Sequence, residues 1–114
     1  MKILQFTPGS YNFQYSLQCA VFEQEFNENY TGLSVFKEGD KSVTVYVPDE
    51  DYAFSAQVVG TTFRGEVERN DEVFKGKVIM QGQLVADNCI QGSIAGKHSE
   101  VPEMEVTGTF SLFK

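Results

Sequence analysis

From Tyr11 to Val21 the chain alternates between two kinds of residue. Tyr11, Phe13, Tyr15, Leu17, Cys19 and Val21 fall in one phase, and Asn12, Gln14, Ser16, Gln18 and Ala20 in the other. A helix would scatter the first set around its circumference, so the alternation predicts a long strand with one buried face. Ahead of it, Ile3-Leu4-Gln5-Phe6 reads as a short first strand or an ordered tail, and Pro8-Gly9 as a turn. Residues 23–29 break the period. Phe22 and Phe26 stand four apart there, which predicts one helical turn on a stretch that carries Glu23, Glu25 and Glu28.

Residues 31–37 and 41–47 read as two strands joined by Glu38-Gly39-Asp40, with Val43, Val45 and Val47 on one face. Pro48 has no N–H to donate and ends the ladder, and Asp49-Glu50-Asp51 follows as an acidic tip. Tyr52, Phe54, Ala56 and Val58 then alternate inward up to a turn at Gly60-Thr61.

The second half repeats one pattern, an apolar residue on either side of a glycine at spacing two. The copies are Phe63-Arg64-Gly65-Glu66-Val67, Phe74-Lys75-Gly76-Lys77-Val78, Ile90-Gln91-Gly92-Ser93-Ile94 and Val106-Thr107-Gly108-Thr109-Phe110. Each reads as a half-buried strand with glycine on its inner face. Such a glycine costs roughly 0.5–1 kcal/mol relative to alanine, so the fold needs it, either to coil the sheet sharply or to leave room inside. Sharp coiling is the expectation. Turns are predicted at Asn70-Asp71, between Gly82 and Asn88, and over residues 97–103. The first of these would bring Gly65 close to Gly76.

About eight strands joined by short turns predict an all-β fold, a mostly up-and-down antiparallel barrel filling residues 1–114 as one domain, with a two-sheet sandwich as the alternative. The opening Gly9-Ser10-Tyr11 of such a barrel resembles the lipocalin-like barrels, whose first strand begins with glycine, any residue, tryptophan. The resemblance is architectural and carries over no site.

A net charge of −7 argues against nucleic acid, whose phosphates call for Lys and Arg, and against an anionic membrane surface. The chain has no run long enough for a transmembrane helix and no signal-peptide core at its start, so it reads as cytoplasmic, or as secreted with a leader removed. The alternation points Cys19 inward and Cys89 outward, which predicts two free thiols.

Little chemistry is legible. His98, the single histidine, sits in a predicted loop, with Cys19 on a distant strand and no nucleophile motif around it. The cysteines and histidine lack the spacing of a zinc site, and the glycines lie within strands rather than in phosphate-binding loops. No cofactor is expected. Glu66, Glu68, Glu103 and Glu105 alternate onto the solvent face. Polar exceptions on the inner face are Tyr11, Tyr15, Tyr52 and Arg69, the candidate ligand-binding set for an apolar cavity with a few convergent polar groups. Three functions remain: a non-catalytic barrel binding a small, largely apolar ligand; an acidic interaction module for a basic protein surface or a homo-oligomer through an edge strand; and an isomerase or cyclase at the barrel mouth.

Overall fold

The computed structural model describes residues 4–19, 24–37, 39, 41–48, 52–70, 75–101 and 105–114. Eight strands follow in order: β1 (Gly9–Cys19), β2 (Gln24–Lys37), β3 (Ser42–Val47), β4 (Tyr52–Val59), β5 (Thr62–Asn70), β6 (Lys75–Ala86), β7 (Cys89–His98) and β8 (Glu105–Phe113). Each pairs antiparallel with the next and β8 returns to β1, so the expected up-and-down barrel is closed.

The stagger of this barrel is large. Stepping between paired residues from Phe26 on β2 leads through Leu17, Gly108, Ile94, Met80, Gly65, Ala56 and Val43 back to β2 at Lys37, eleven residues along the same strand. At about 3.3 Å per residue and about 4.8 Å between strands, that stagger tilts eight strands by roughly 40–45°.

Steep tilt requires tight coiling, and the glycines sit where the wall is tightest. A methyl group on Gly108 would collide with the Ser16 carbonyl oxygen, and one on Gly92 with the Gln81 carbonyl oxygen. The room the glycines leave inside is used by rings. Phe63, Gly82, Gly92, Phe110 and Tyr15 form one row around the wall. The Phe63 and Phe110 rings lie 5.8 Å apart across the two glycines.

Three local expectations are corrected, and the choice between strand and tail for the first residues falls to the tail. Residues 24–29 are strand, not a helical turn, because β1 holds them in register from Cys19↔Gln24 to Gln14↔Asn29. Residues 83–86 stay in β6, so the turn narrows to Asp87-Asn88. Gly65 pairs with Met80 rather than lying near Gly76, which pairs with Arg69. Leu4, Gln5 and Phe6 form no strand. The predicted acidic tip at residues 49–51 and the Asp71 half of the Asn70-Asp71 turn fall outside the described residues.

The two ends of the barrel differ. At one end, residues 4–8 lie across the opening. Leu4 and Phe6 pack against the core, Asn88 N–H donates to the Gln5 carbonyl at 2.7 Å, and Gln5 N–H donates to Asp87 Oδ1 at 3.0 Å. Tyr11, Leu33, Phe63, Ile90, Leu112 and Val45 are almost completely buried.

Toward the other end the pairing among the described residues is incomplete. β3 stops at Val47, so its pairing with β2 covers only residues 43–46 against 34–37. Just beyond, Thr31 and Gly32 together oppose Asn12, a bulge that Gly32 accommodates at φ 73° and that bends β2. β4 pairs with β5 only over residues 56–59 against 62–65. Over the remaining lengths, β2 has only β1 as a described neighbour and β5 only β6. Apolar side chains point mainly in and polar ones mainly out. Among the described residues, no helix is long and apolar enough to cross a membrane.

Candidate functional site

β4 and β5 are paired only as far as Ala56 and Gly65, and a partly buried apolar set lies inside the barrel. Tyr15 and Leu17 on β1, Tyr30 on β2, Phe54 on β4 and Val78 on β6 pack against the core yet remain only partly buried. The Tyr15 and Tyr30 rings stack at 6.1 Å with planes 27° apart, and Tyr15 continues to Phe13 at 5.7 Å. Their positions follow from register. Tyr15 faces Phe110 on β8, and Tyr30 faces Phe13 on β1 one step higher.

The four candidate residues separate into two groups. Tyr15 belongs to this partly buried set. Continuing the β4–β5 register past its last pair puts Tyr52 level with Arg69, one on each side of the parting of the two strands. Their backbones are in β4 and β5, and their side chains are not among those described. Tyr11 belongs elsewhere. Four residues from Tyr15, roughly 13 Å along the strand, it is held at the sealed end.

There the Tyr11 hydroxyl donates to the Thr7 carbonyl at 2.6 Å, with Asn88 Oδ1 at 2.9 Å as a second acceptor. Asn88 Oδ1 also accepts the Thr7 N–H at 2.8 Å and the Thr7 hydroxyl at 2.9 Å. Lys114 Nζ donates to Thr7 Oγ1 at 3.0 Å and stands 5.4 Å from the Tyr11 ring centre. Burial raises the Tyr11 pKa above the ordinary tyrosine value, and its hydrogen bonds to Thr7 offset part of that rise. Tyr11 is therefore part of the seal. Alternation identifies which face a tyrosine occupies but not how far along the barrel it stands.

Sequence reasoning missed Tyr30, which follows directly on the stretch read as a helical turn. Its inward phase is hidden because the Thr31-Gly32 bulge separates it from Leu33 by three residues rather than two.

His98 ends β7, and its Nδ1 accepts the backbone N–H groups of Glu100 and Val101 at 3.0 and 3.1 Å. That contact caps a turn. Glu66, Glu68 and Glu105 are exposed as expected, with Glu66 paired to Arg64 at 3.2 Å and Glu105 to Lys97 at 3.7 Å. Among the described residues, no group of three His, Cys, Asp or Glu could hold a metal ion.

A concavity lies on the outer wall, a groove of about 260 Å³ over β2, β1 and β8. Gln14, Ser16, Asn27, Asn29, Thr109 and Ser111 line it, with Tyr15 and Phe110 at its base. No protein family, curated protein or solved structure matches this chain.

Proposed function

We propose that the protein is a non-catalytic binding barrel that admits a small, largely apolar ligand where β4 and β5 part. The observation that supports this most directly is the partly buried apolar and aromatic set, Tyr15, Leu17, Tyr30, Phe54 and Val78, lying inside a barrel whose β4 and β5 are paired only as far as Ala56 and Gly65. An eight-stranded barrel has an interior that side chains can fill or that can hold one small ligand. Here residues 4–8 cover one end, and toward the other β4 and β5 are no longer paired. Tyr52 and Arg69 remain candidates by their backbone positions on either side of the parting of β4 and β5.

The test is titration with N-phenyl-1-naphthylamine, a neutral fluorescent probe, alongside native mass spectrometry for ligand retained from the host. Saturable binding of one equivalent, lost in Val78→Trp with the fold intact by circular dichroism, is the expected result. Equal probe binding by wild type and Val78→Trp ends this reading.

The interaction module has its own supporting observation. Described pairing between β2 and β3 is confined to Ser34–Lys37, and a strand edge can add a strand from another chain. Sedimentation velocity over a range of concentrations tests it, with Asn29→Pro expected to abolish any self-association.

A further inference from the structure

The outer wall carries a band of chemistry that the binding barrel does not use. Reading across paired positions, one row runs Asn29, Gln14, Ser111, Gln91, Gln83. The next runs Asn27, Ser16, Thr109, Ser93, Gln81. All ten are carboxamides or hydroxyls on adjacent outward positions of five strands. The chain has sixteen Asp or Glu and nine Lys or Arg, yet none falls in this band. The outer-wall ion pairs Arg64–Glu66, Lys77–Glu66 and Lys97–Glu105 all lie outside it.

The outer groove is cut into the same band. Its six polar lining residues are the β2, β1 and β8 members of the two rows. A phosphate or carboxylate ligand would call for Arg or Lys, and an apolar one for aliphatic or aromatic walls. These six side chains supply neither. A carboxamide offers two donors and an acceptor, and a hydroxyl offers both roles. That matches a ligand whose own groups both donate and accept and which has no charge to desolvate.

We propose that this groove binds a neutral hexose oligosaccharide, one or two rings seated between β2 and β8 and the rest of the chain running along the rows toward β6. The volume lies just below the roughly 300 Å³ at which pockets for drug-sized ligands begin, which suits a segment of a longer polymer rather than a whole compact molecule.

Amide chemical-shift mapping with maltotetraose, cellotetraose and mannotetraose tests it at up to about 20 mM, a range that reaches affinities weaker than millimolar. At least one sugar is expected to give saturable shifts at residues 14, 16, 27, 29, 109 and 111. The double variant Asn27→Ala, Thr109→Ala is expected to bind it at least about tenfold more weakly at an unchanged Tm, since both positions are exposed. Oligogalacturonate, with a carboxylate on each ring, should shift none of these amides. The proposal fails if none of the three sugars moves them, if the double variant binds as wild type does, or if the acidic sugar binds equally well.

Discussion

Asn88 Oδ1 accepts the backbone N–H of Thr7 at 2.8 Å, and through that contact the β6–β7 turn holds the chain's first described residues across the barrel end. Asn88 also has φ 56°, a conformation asparagine tolerates better than most residues. Two effects can therefore be separated. Asn88→Gly keeps the backbone but removes the acceptor shared by Thr7 and Tyr11, and is expected to cost about 1–2 kcal/mol. Asn88→Ala adds a backbone penalty and is expected to cost about 2–4 kcal/mol. Urea midpoints of the two variants check this. Equal midpoints for wild type and Asn88→Gly would show that the acceptor holds nothing in place.

The Tyr11 hydroxyl gives the seal a pH dependence. Its pKa is raised in the folded protein, chiefly by burial, so the folded state keeps a proton that the unfolded chain releases near pH 10. The contribution is fully present below pH 10 and declines as pH rises through the folded value. Stability should fall more steeply above pH 10 for wild type than for Tyr11→Phe, which has no such proton to lose. Denaturation curves at pH 8 and above pH 10 measure the difference, and parallel behaviour of the two proteins would count against the seal.

The fold was largely legible because alternation and inner-face glycines each report one wall of a barrel. Val43, Val45 and Val47 lie inside as their spacing predicts, as do Phe63 and Val67 around Gly65. What escaped depends on pairing with distant residues. The stretch at 24–29 reads as helical because Phe22 and Phe26 stand four apart, and only its ladder with β1 makes it a strand. The parting of β4 and β5 leaves no mark in either strand, since both keep their alternation past Ala56 and Gly65 where pairing ends. Tyr11 and Tyr15 share a phase, so one sequence pattern covers a sealing residue and a residue of the partly buried set. Asn88, by contrast, has a visible signal: an asparagine in a two-residue hairpin turn favours positive φ.

The glycines should divide according to what lies opposite. At Gly65 a methyl group would meet Ala56 Cβ at 3.4 Å and Phe54 Cε2 at 3.5 Å, ordinary packing distances. Gly65→Ala is therefore expected to be neutral or stabilising by up to about 1 kcal/mol, through lost freedom of the unfolded chain. At Gly108 the methyl group would strike the Ser16 carbonyl oxygen, backbone that can move only if β1 and β8 separate. Gly108→Ala is expected to cost at least about 2 kcal/mol. Thermal denaturation of the pair is the check. A Gly108→Ala protein as stable as Gly65→Ala would mean that β1 and β8 lie further apart than this.

The cysteines should stay apart whatever the redox conditions. Cys19 pairs with Val106, which pairs with Gly96 on β7. Gly96 is seven residues beyond Cys89 on that strand, so the two cysteines are separated by roughly 23 Å along the strand direction alone. A disulfide needs Cα atoms within about 7 Å. Cys89 is a free thiol and half-buried rather than fully exposed, because it sits opposite Phe113 at the sealed end. Its alkylation by iodoacetamide should accordingly be slower than that of a thiol in an unfolded peptide, and faster once Asn88→Gly loosens the seal beside it. The intact mass of unreduced, denatured protein should show two alkylated cysteines without added reductant. A mass two hydrogens short with no label would require β1 and β7 to run in a different register, and would overturn the barrel's stagger along with the thiol assignment.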